Sequence, residues 1–379
     1  MNTLYFDHNA STPVLPRVRD ALLLALDEGF GNPGAPHAYG RRAKAFVEVA
    51  RGQVASLLGA APDEIVFTGG ATESSNLALR GTALLAGVPW LTLLTSAVEH
   101  PATVEPAKVL QRQGATWIRL PTTAAGTVDE AAGLEAIGAL QGPAIVSLIL
   151  AQNETGVIQP VARLAAAARE KGAVVHVDAA QAVGKIPVSV EALGADLLSL
   201  AGHKLYAPKG VGALYVRRGT RIAPLVVGAG HEGGLRPGTA NVSSIAALGA
   251  ACALAADDLE REAARQRALR DRLEMHLATG GFVVHGAGSE RLPNTTNGRF
   301  PGARGGALLD AVPAIAATTG SACHAGEEQP SAVLTAMGLA AEEALGAIRL
   351  SLGRGTTEAD VDRAAAALVA AAARLSAGC

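Results

Sequence analysis

Cysteine is scarce in this chain, lysine is scarcer than arginine, and charge of either sign is nearly balanced; each shortage removes a class of function. Three cysteines in 379 residues, Cys252, Cys323 and Cys379, are too few and too scattered for a disulfide framework. No cysteines are paired at metal-ligand spacing, and His231-Glu232 does not extend to HExxH, so no structural or catalytic metal is expected. A formal charge of −2 leaves no basic footprint for nucleic acid. No apolar run is expected to reach bilayer length: Asp257 and Asp258 end the stretch around 246–256, and Arg363 and Arg374 bracket the alanine-rich tail. The first seven residues lack the basic start and apolar middle of a signal peptide. These absences predict a soluble, cytoplasmic protein without membrane or nucleic-acid partners.

Of 32 basic residues only six are lysines: Lys44, Lys108, Lys171, Lys185, Lys204 and Lys209. Chemistry that needs a lysine amine therefore has a short list to choose from. An apolar content of 49% over this length is enough for a large core and two domains in one unit.

Apolar spacing predicts helices over 16–26 and 41–58. β-branched runs predict strands at 64–68, 143–148 and 173–177, with an alanine-rich helix over 161–171 between the last two. That alternation predicts an α/β fold with a mostly parallel sheet and helices on both faces. A long helical pattern from Val242 past Met275 leads toward a smaller α+β unit. The expected division is a large domain over 15–255 and a small one from 1–14 and 256–379. Ligands of such sheets lie at the C-terminal strand ends, so the residues after each strand carry most of the information.

Three strand ends stand out. Gly69-Gly70-Ala71-Thr72-Glu73-Ser74 follows a strand and opens a helix, where free N–H groups and the Thr72 hydroxyl suit a phosphate; taken alone, the segment reads as a glycine turn with a capping residue. Asp178 ends Val175-His176-Val177, where a carboxylate after a buried strand needs a cationic partner such as a protonated pyridine; a helix N-cap is the alternative. Gln181, three residues on, is placed to reach a phenolic oxygen of the same ring. Lys204, in Gly202-His203-Lys204, is either a solvated surface lysine or the amine that holds an aldehyde cofactor covalently. Phosphate cradle, aspartate and lysine together match the three handles of pyridoxal phosphate.

The chain resembles cysteine desulfurases of the NifS/IscS kind, in the class-V branch of fold-type-I pyridoxal-phosphate enzymes. The resemblance spans nearly the whole chain. It starts with Tyr5-Phe6-Asp7-His8-Asn9-Ala10-Ser11-Thr12-Pro13 and continues through Ala71-Thr72-Glu73-Ser74, Val98-Glu99-His100-Pro101 and Asn153-Glu154-Thr155-Gly156. It ends with Asp178-Ala179-Ala180-Gln181, Gly202-His203-Lys204, Arg236-Pro237-Gly238-Thr239, Gly320-Ser321-Ala322-Cys323 and Ile348-Arg349-Leu350-Ser351-Leu352-Gly353-Arg354.

The resemblance implies a role for each matching residue. Lys204 would carry the cofactor, His100 would stack on its ring, and Asp178 would pair with the ring nitrogen. Asn153 and Gln181 would face the ring's oxygen side. Thr72, the Ala71 backbone and His203 would hold the phosphate, and Thr239 would reach the phosphate of a partner subunit in a two-fold dimer. Arg349, helped by Asn153, would bind the substrate carboxylate. Cys323 would take the sulfur of L-cysteine as a persulfide and pass it to an acceptor, with an iron–sulfur scaffold protein as the first expectation. Its surroundings, Thr318-Thr319-Gly320-Ser321-Ala322 before and His324-Ala325-Gly326 after, carry no packing pattern, whereas Cys252 lies in an apolar helix and reads as core. Cys379 reads as incidental.

Departures from the family pattern are Ala201, where a phosphate donor is usual; Gly233, where an arginine is; and His324-Ala325 after the cysteine. The last makes selenocysteine lyase the nearest competing activity, and a catalytically silent assembly partner is the alternative of another class. Gly228-Ala229-Gly230-His231-Glu232-Gly233 matches GxGxxG by letter, but Pro237 falls where the helix should run, so no dinucleotide site is expected.

Overall fold

In the computed structural model residues 3–320 and 329–377 are described. The chain opens with strand β1 (Leu4–Tyr5) and helices α1 (Pro16–Glu28) and α2 (Ala38–Leu58). Proline at the first turn of α1 spends no needed N–H, and α2 ends on Gly59 in the left-handed region. Strand and helix then alternate: β2 (Ile65–Thr68), α3 (Ala71–Ala86), β3 (Thr92–Ser96), α4 (Pro101–Arg112), β4 (Thr116–Leu120), α5 (Glu130–Gly138), β5 (Ala144–Ile149), α6 (Val161–Glu170) and β6 (Val174–Asp178). Two more strands follow, β7 (Leu197–Ala201) and β8 (Gly212–Val216).

These strands form a seven-stranded sheet in the order β2-β8-β7-β6-β5-β3-β4. Pairings from β4 across to β7 are parallel, and β8 runs antiparallel to both its neighbours. Central strands β5 and β7 are buried along their whole length, as continuous apolar runs between two helical layers must be. The C-terminal ends of β2, β3, β5, β6 and β7 therefore reach one edge of the sheet, and the site is built there.

Helix α7 (Val242–Ala278) is long and apolar enough to cross a bilayer by composition alone, with a window of mean hydropathy 1.5. This corrects the sequence expectation, which took Asp257 and Asp258 as the end of the run. Half of that window is buried inside the fold, where Leu248, Ala251 and Cys252 join the core formed with α2 and the sheet. Core burial accounts for its composition. Past a non-helical residue at Asp258, Leu269, Leu273 and Leu277 join a second core. That core includes Phe300, just after β10 (Thr295–Arg299), with Leu308 of α8 (Gly305–Asp310) and Ile315 of β11 (Ile315–Ala316). The strands β9 (Val283–Val284), β10 and β12 (Ala347–Ser351) form its antiparallel sheet. Short helices α9 (Ala332–Ala336) and α10 (Ala341–Leu345) precede β12, and α11 (Glu358–Ala377) covers this core with Val361, Ala364 and Leu368. β1 pairs in parallel with β11, so the first residues of the chain run between the two cores.

Candidate active site

Five strand ends and the N-terminal segment enclose a cavity of about 660 Å³. Its wall includes Gly69, Gly70, Ala71 and Thr72 after β2, His100 after β3, Asn153 after β5, Asp178 and Gln181 at β6, and His203 and Lys204 after β7. Arg349 of β12 and Asn9 to Ser11 close it from the other side. The structure thus brings together the residues that the sequence marked separately, Thr239 and Cys323 apart.

The cradle after β2 depends on Gly70, whose φ of 148° belongs to glycine. The first helical hydrogen bond of α3 runs from Ser74 N to Gly70 O, so the N–H groups of Ala71 and Thr72 have no helical acceptor. Helix dipole and free donors together make an anion seat. Glu73 folds back, its carboxylate accepting from Gly69 N (2.6 Å) and from Arg236 Nε (3.0 Å).

Asp178 is 2% exposed, and among the described residues its carboxylate accepts a single hydrogen bond, from Ala180 N at 3.0 Å. Burial raises its pKa, against the pull of His100, the Ala180 N–H and Lys204. A nearly bare buried carboxylate of this kind calls for a cation in the cavity. His100 caps α4, its Nδ1 accepting from Ala102 N at 3.0 Å, which assigns the ring proton to Nε2. Burial lowers the His100 pKa, so the ring is neutral.

Lys204 donates to the backbone oxygens of Asn9 (2.5 Å) and Ala10 (2.8 Å). Burial, then the nearby Arg349 charge, holds its amine down at about 8, while Asp7 and Asp178 pull the other way. A substantial neutral fraction near pH 7 is what a lysine nucleophile and base requires. His203, pushed down to about 4 by burial and then by Lys204, is neutral, and its Nδ1 meets Ser11 Oγ at 3.4 Å. Arg349 gives one nitrogen to Asn153 O (3.0 Å) and one to Asp7 Oδ1 (2.6 Å), while its buried Nε has no partner among the described residues. Arg349 lines the cavity, and a guanidinium there suits a substrate carboxylate.

Three residues that sequence reasoning left without a role belong to the site. Asn9 is 1% exposed and uses all its polar atoms. Its N–H donates to Ser351 Oγ, its Nδ2 to Thr295 Oγ1 and Asn153 O, and its backbone oxygen accepts from Gln181 and Lys204. Lys185 donates to Asn9 Oδ1 and Gln181 Oε1, and Glu99 lies buried behind His100. Asn9 and Glu99 lie within family motifs and Lys185 is one of six lysines, but each has a partner far along the chain that left no local signal.

Thr239 is exposed and does not line the cavity of its own chain, while Ala201 presents only a methyl group there. Cys323, along with His324 and Ala325, lies outside the described residues, as does Cys379. Cys252 is buried and its thiol is pushed up to about 12 by burial, consistent with an inert core residue.

A sheet that presents lysine, aspartate, histidine and a helix N-terminus to one cavity defines the class of fold-type-I pyridoxal-phosphate enzymes. The chain belongs to the class-V aminotransferase family, whose family model matches residues 4–364. It is 44% identical over 368 residues to the "Cysteine desulfurase 2" of Trichormus variabilis, covering 96% of this chain and 91% of that protein. A solved NifS-like protein superposes with a TM-score of 0.89 at 36% identity, covering 97% of this chain and 98% of the other. A structure titled "SspA in complex with cysteine" gives a TM-score of 0.81 at 33% identity, covering 92% and 99%. The cofactor of the family is pyridoxal 5'-phosphate, and the bare Asp178 carboxylate, the open cradle at Ala71 and Thr72 and the Lys204 amine suit its ring nitrogen, phosphate and aldehyde.

Proposed function

We propose that this protein is a pyridoxal-phosphate-dependent cysteine desulfurase, converting L-cysteine to L-alanine and carrying the sulfur as a persulfide on Cys323. The carrying observation is that Lys204 and Asp178, at neighbouring strand ends, face one cavity that Arg349 also lines. Relatives named cysteine desulfurase, at 42–46% identity over nearly the whole chain, support the substrate.

The Arg349 guanidinium and the Asn153 side chain would hold the substrate carboxylate, and Lys204, as a neutral amine, would take the proton from the α-carbon. When bound, pyridoxal phosphate supplies a ring that spreads the negative charge developing at that carbon, and Asp178 would keep the ring nitrogen protonated. His100, neutral with its proton on Nε2, would cover the ring face. The Cys323 thiolate would attack the substrate sulfur. The sulfur–sulfur bond forms as the carbon–sulfur bond breaks, its electron pair passes to the substrate carbon, and protons complete L-alanine. The persulfide would then pass to an acceptor protein, an iron–sulfur scaffold being the first to try. We further propose a homodimer in which Thr239 serves the partner's phosphate. The loop before it exposes Val226 at 66% and Val227 at 87%, an apolar edge suited to a second copy.

The test has two arms. Borohydride treatment of the yellow holoenzyme, followed by peptide mapping, is expected to fix the cofactor on Lys204; fixation on Lys185 or Lys209 overturns the assignment. Cys323→Ala is expected to keep the bound cofactor but release no sulfide from L-cysteine, and the wild type should gain one sulfur on the Cys323 peptide by mass spectrometry. Desulfuration by that variant at the wild-type rate would refute the mechanism. L-Selenocysteine, assayed beside L-cysteine, measures the competing activity, since selenium can leave without a protein nucleophile.

A further inference from the structure

Among the six lysines Lys185 alone is buried. Its amine donates to Gln181 Oε1 at 2.6 Å and to Asn9 Oδ1 at 3.0 Å, and among the described residues no carboxylate is a hydrogen-bond partner. The charged side chains acting on it, Lys204 after β7 and Arg349 of β12, are both cations. The histidines that feel it, His8 and His203, are both held neutral by burial. An ammonium here would bury an unpaired charge and leave one N–H without an acceptor, whereas an uncharged amine has two N–H groups for two carbonyl oxygens. Burial accordingly lowers its pKa well below the ordinary lysine value.

The consequence lies one residue nearer the cofactor. With its oxygen held by Lys185, the Gln181 amide turns Nε2 toward Asn9 O, at 2.9 Å. One N–H is spent there, and the other is left for the cavity that Gln181 lines. Asn9 Oδ1 is held in the same way, by Lys185 and by Asn294 Nδ2 (3.1 Å), so that its own Nδ2 meets Asn153 O and Thr295 Oγ1. We propose that Lys185 is a positioning residue of the cofactor site, its amine turning the Gln181 amide so that an N–H, not a carbonyl oxygen, meets the ring oxygen of the cofactor. The inference rests on the pyridoxal-phosphate reading of the cavity; failure of wild-type uptake, or fixation on Lys209, would count against that reading and not against Lys185, whereas fixation on Lys185 itself would overturn both.

The experiment compares wild type, Lys185→Met, Gln181→Leu and the double variant. Two readouts are taken: the Kd of the apoenzyme for pyridoxal phosphate, and the pH midpoint of the visible absorption of the bound cofactor. Lys185→Met is expected to weaken binding about tenfold and to move the midpoint in the same direction as Gln181→Leu, with the double variant no worse than the single ones. A folded Lys185→Met with wild-type Kd and midpoint overturns the proposal, and so do effects that add to those of Gln181→Leu. Lys185→Gln, which retains an N–H donor, should recover part of the shift. Should the methionine variant not fold, ε-15N-lysine labelling of the wild-type holoenzyme decides: with Lys204 joined to the cofactor, the other five of the six lysines report as free amines, and one signal at the neutral-amine position at pH 7 is expected. Ammonium signals from all five overturn the geometry argued here.

Discussion

Glu99, 6% exposed directly behind His100, shows how much of this site is set by single buried groups. Its Oε1 accepts from Ser96 Oγ at 2.5 Å and Ile149 N at 3.0 Å, while Oε2 has no partner among the described residues. Burial, reinforced by the Asp178 charge, pushes the carboxyl up to about 8 from an ordinary 4.5. The folded chain therefore keeps a proton that the unfolded chain gives up. Stability from this group is full below pH 4.5, declines as pH rises toward about 8, and is absent above that. Glu99→Gln keeps the shape and the accepting oxygen but cannot ionise. Its Tm relative to wild type is expected to rise steadily between pH 5 and about 8, read by thermal unfolding in a buffer series. A difference that stays constant across that range would mean that Glu99 is already charged in the folded state. None of this was legible in Val98-Glu99-His100-Pro101, because nothing local reveals that the carboxyl points into the sheet edge under Ile149.

At the scale of elements, the phosphate cradle belongs to two of them. Gly70 sits against Gly212 at the start of β8, where an added Cβ would lie 2.7 Å from Gly70 Cα and 2.6 Å from Leu200 O. Both obstacles are backbone and cannot swing aside, so β8 must be bare at this point for the cradle to close on the sheet. Gly212→Ala is expected to cost about 1–3 kcal/mol in denaturant unfolding. It should also weaken pyridoxal-phosphate uptake more than uptake of the phosphate-free pyridoxal, since the anion seat is what shifts. Equal losses for both ligands would place the damage elsewhere. The predicted strands at 64–68, 143–148 and 173–177 and the helices from 16 and 41 correspond to β2, β5, β6, α1 and α2 with ends moved by a few residues. Their apolar periods are strong because each is buried on one or both faces. The direction of β8 was not legible: Gly-Ala-Leu-Tyr-Val reads the same in either sense, and its antiparallel course comes from the short return after Lys204.

On the scale of the whole molecule, two cores share helix α7, and the exchange between them happens at Asp258, where φ is −140° and the helix is interrupted. Arg354 grips the Asp258 carboxylate with two nitrogens, at 2.7 and 2.8 Å, and its backbone N–H donates to Tyr206 Oη at 2.8 Å. Tyr206 itself stands two residues past Lys204 with a φ of 65°, so this junction ties α7, the second core and the lysine turn together. The sequence showed Arg354 only as the end of a familiar motif. Its partner lies 96 residues away, and no periodicity connects them. Exposures of 19% and 16% place the pair between a surface ion pair and a buried one. Arg354→Met is therefore expected to cost about 1–3 kcal/mol, because it leaves the Asp258 carboxylate with only the exposed Arg261 as an ion-pair partner while keeping much of the side-chain volume. If the junction couples the cores, calorimetry at pH 7 should show one unfolding transition for wild type and a broadened or split one for the variant. Arg354 holds the Asp258 carboxyl below its ordinary 3.8, so the pair's contribution is present above that value and disappears as pH falls through the lowered one. The gap between wild type and variant should accordingly narrow toward pH 3. A single sharp transition for Arg354→Met, with a gap that does not narrow in acid, would show that the cores are joined by α7 itself and not by this ion pair.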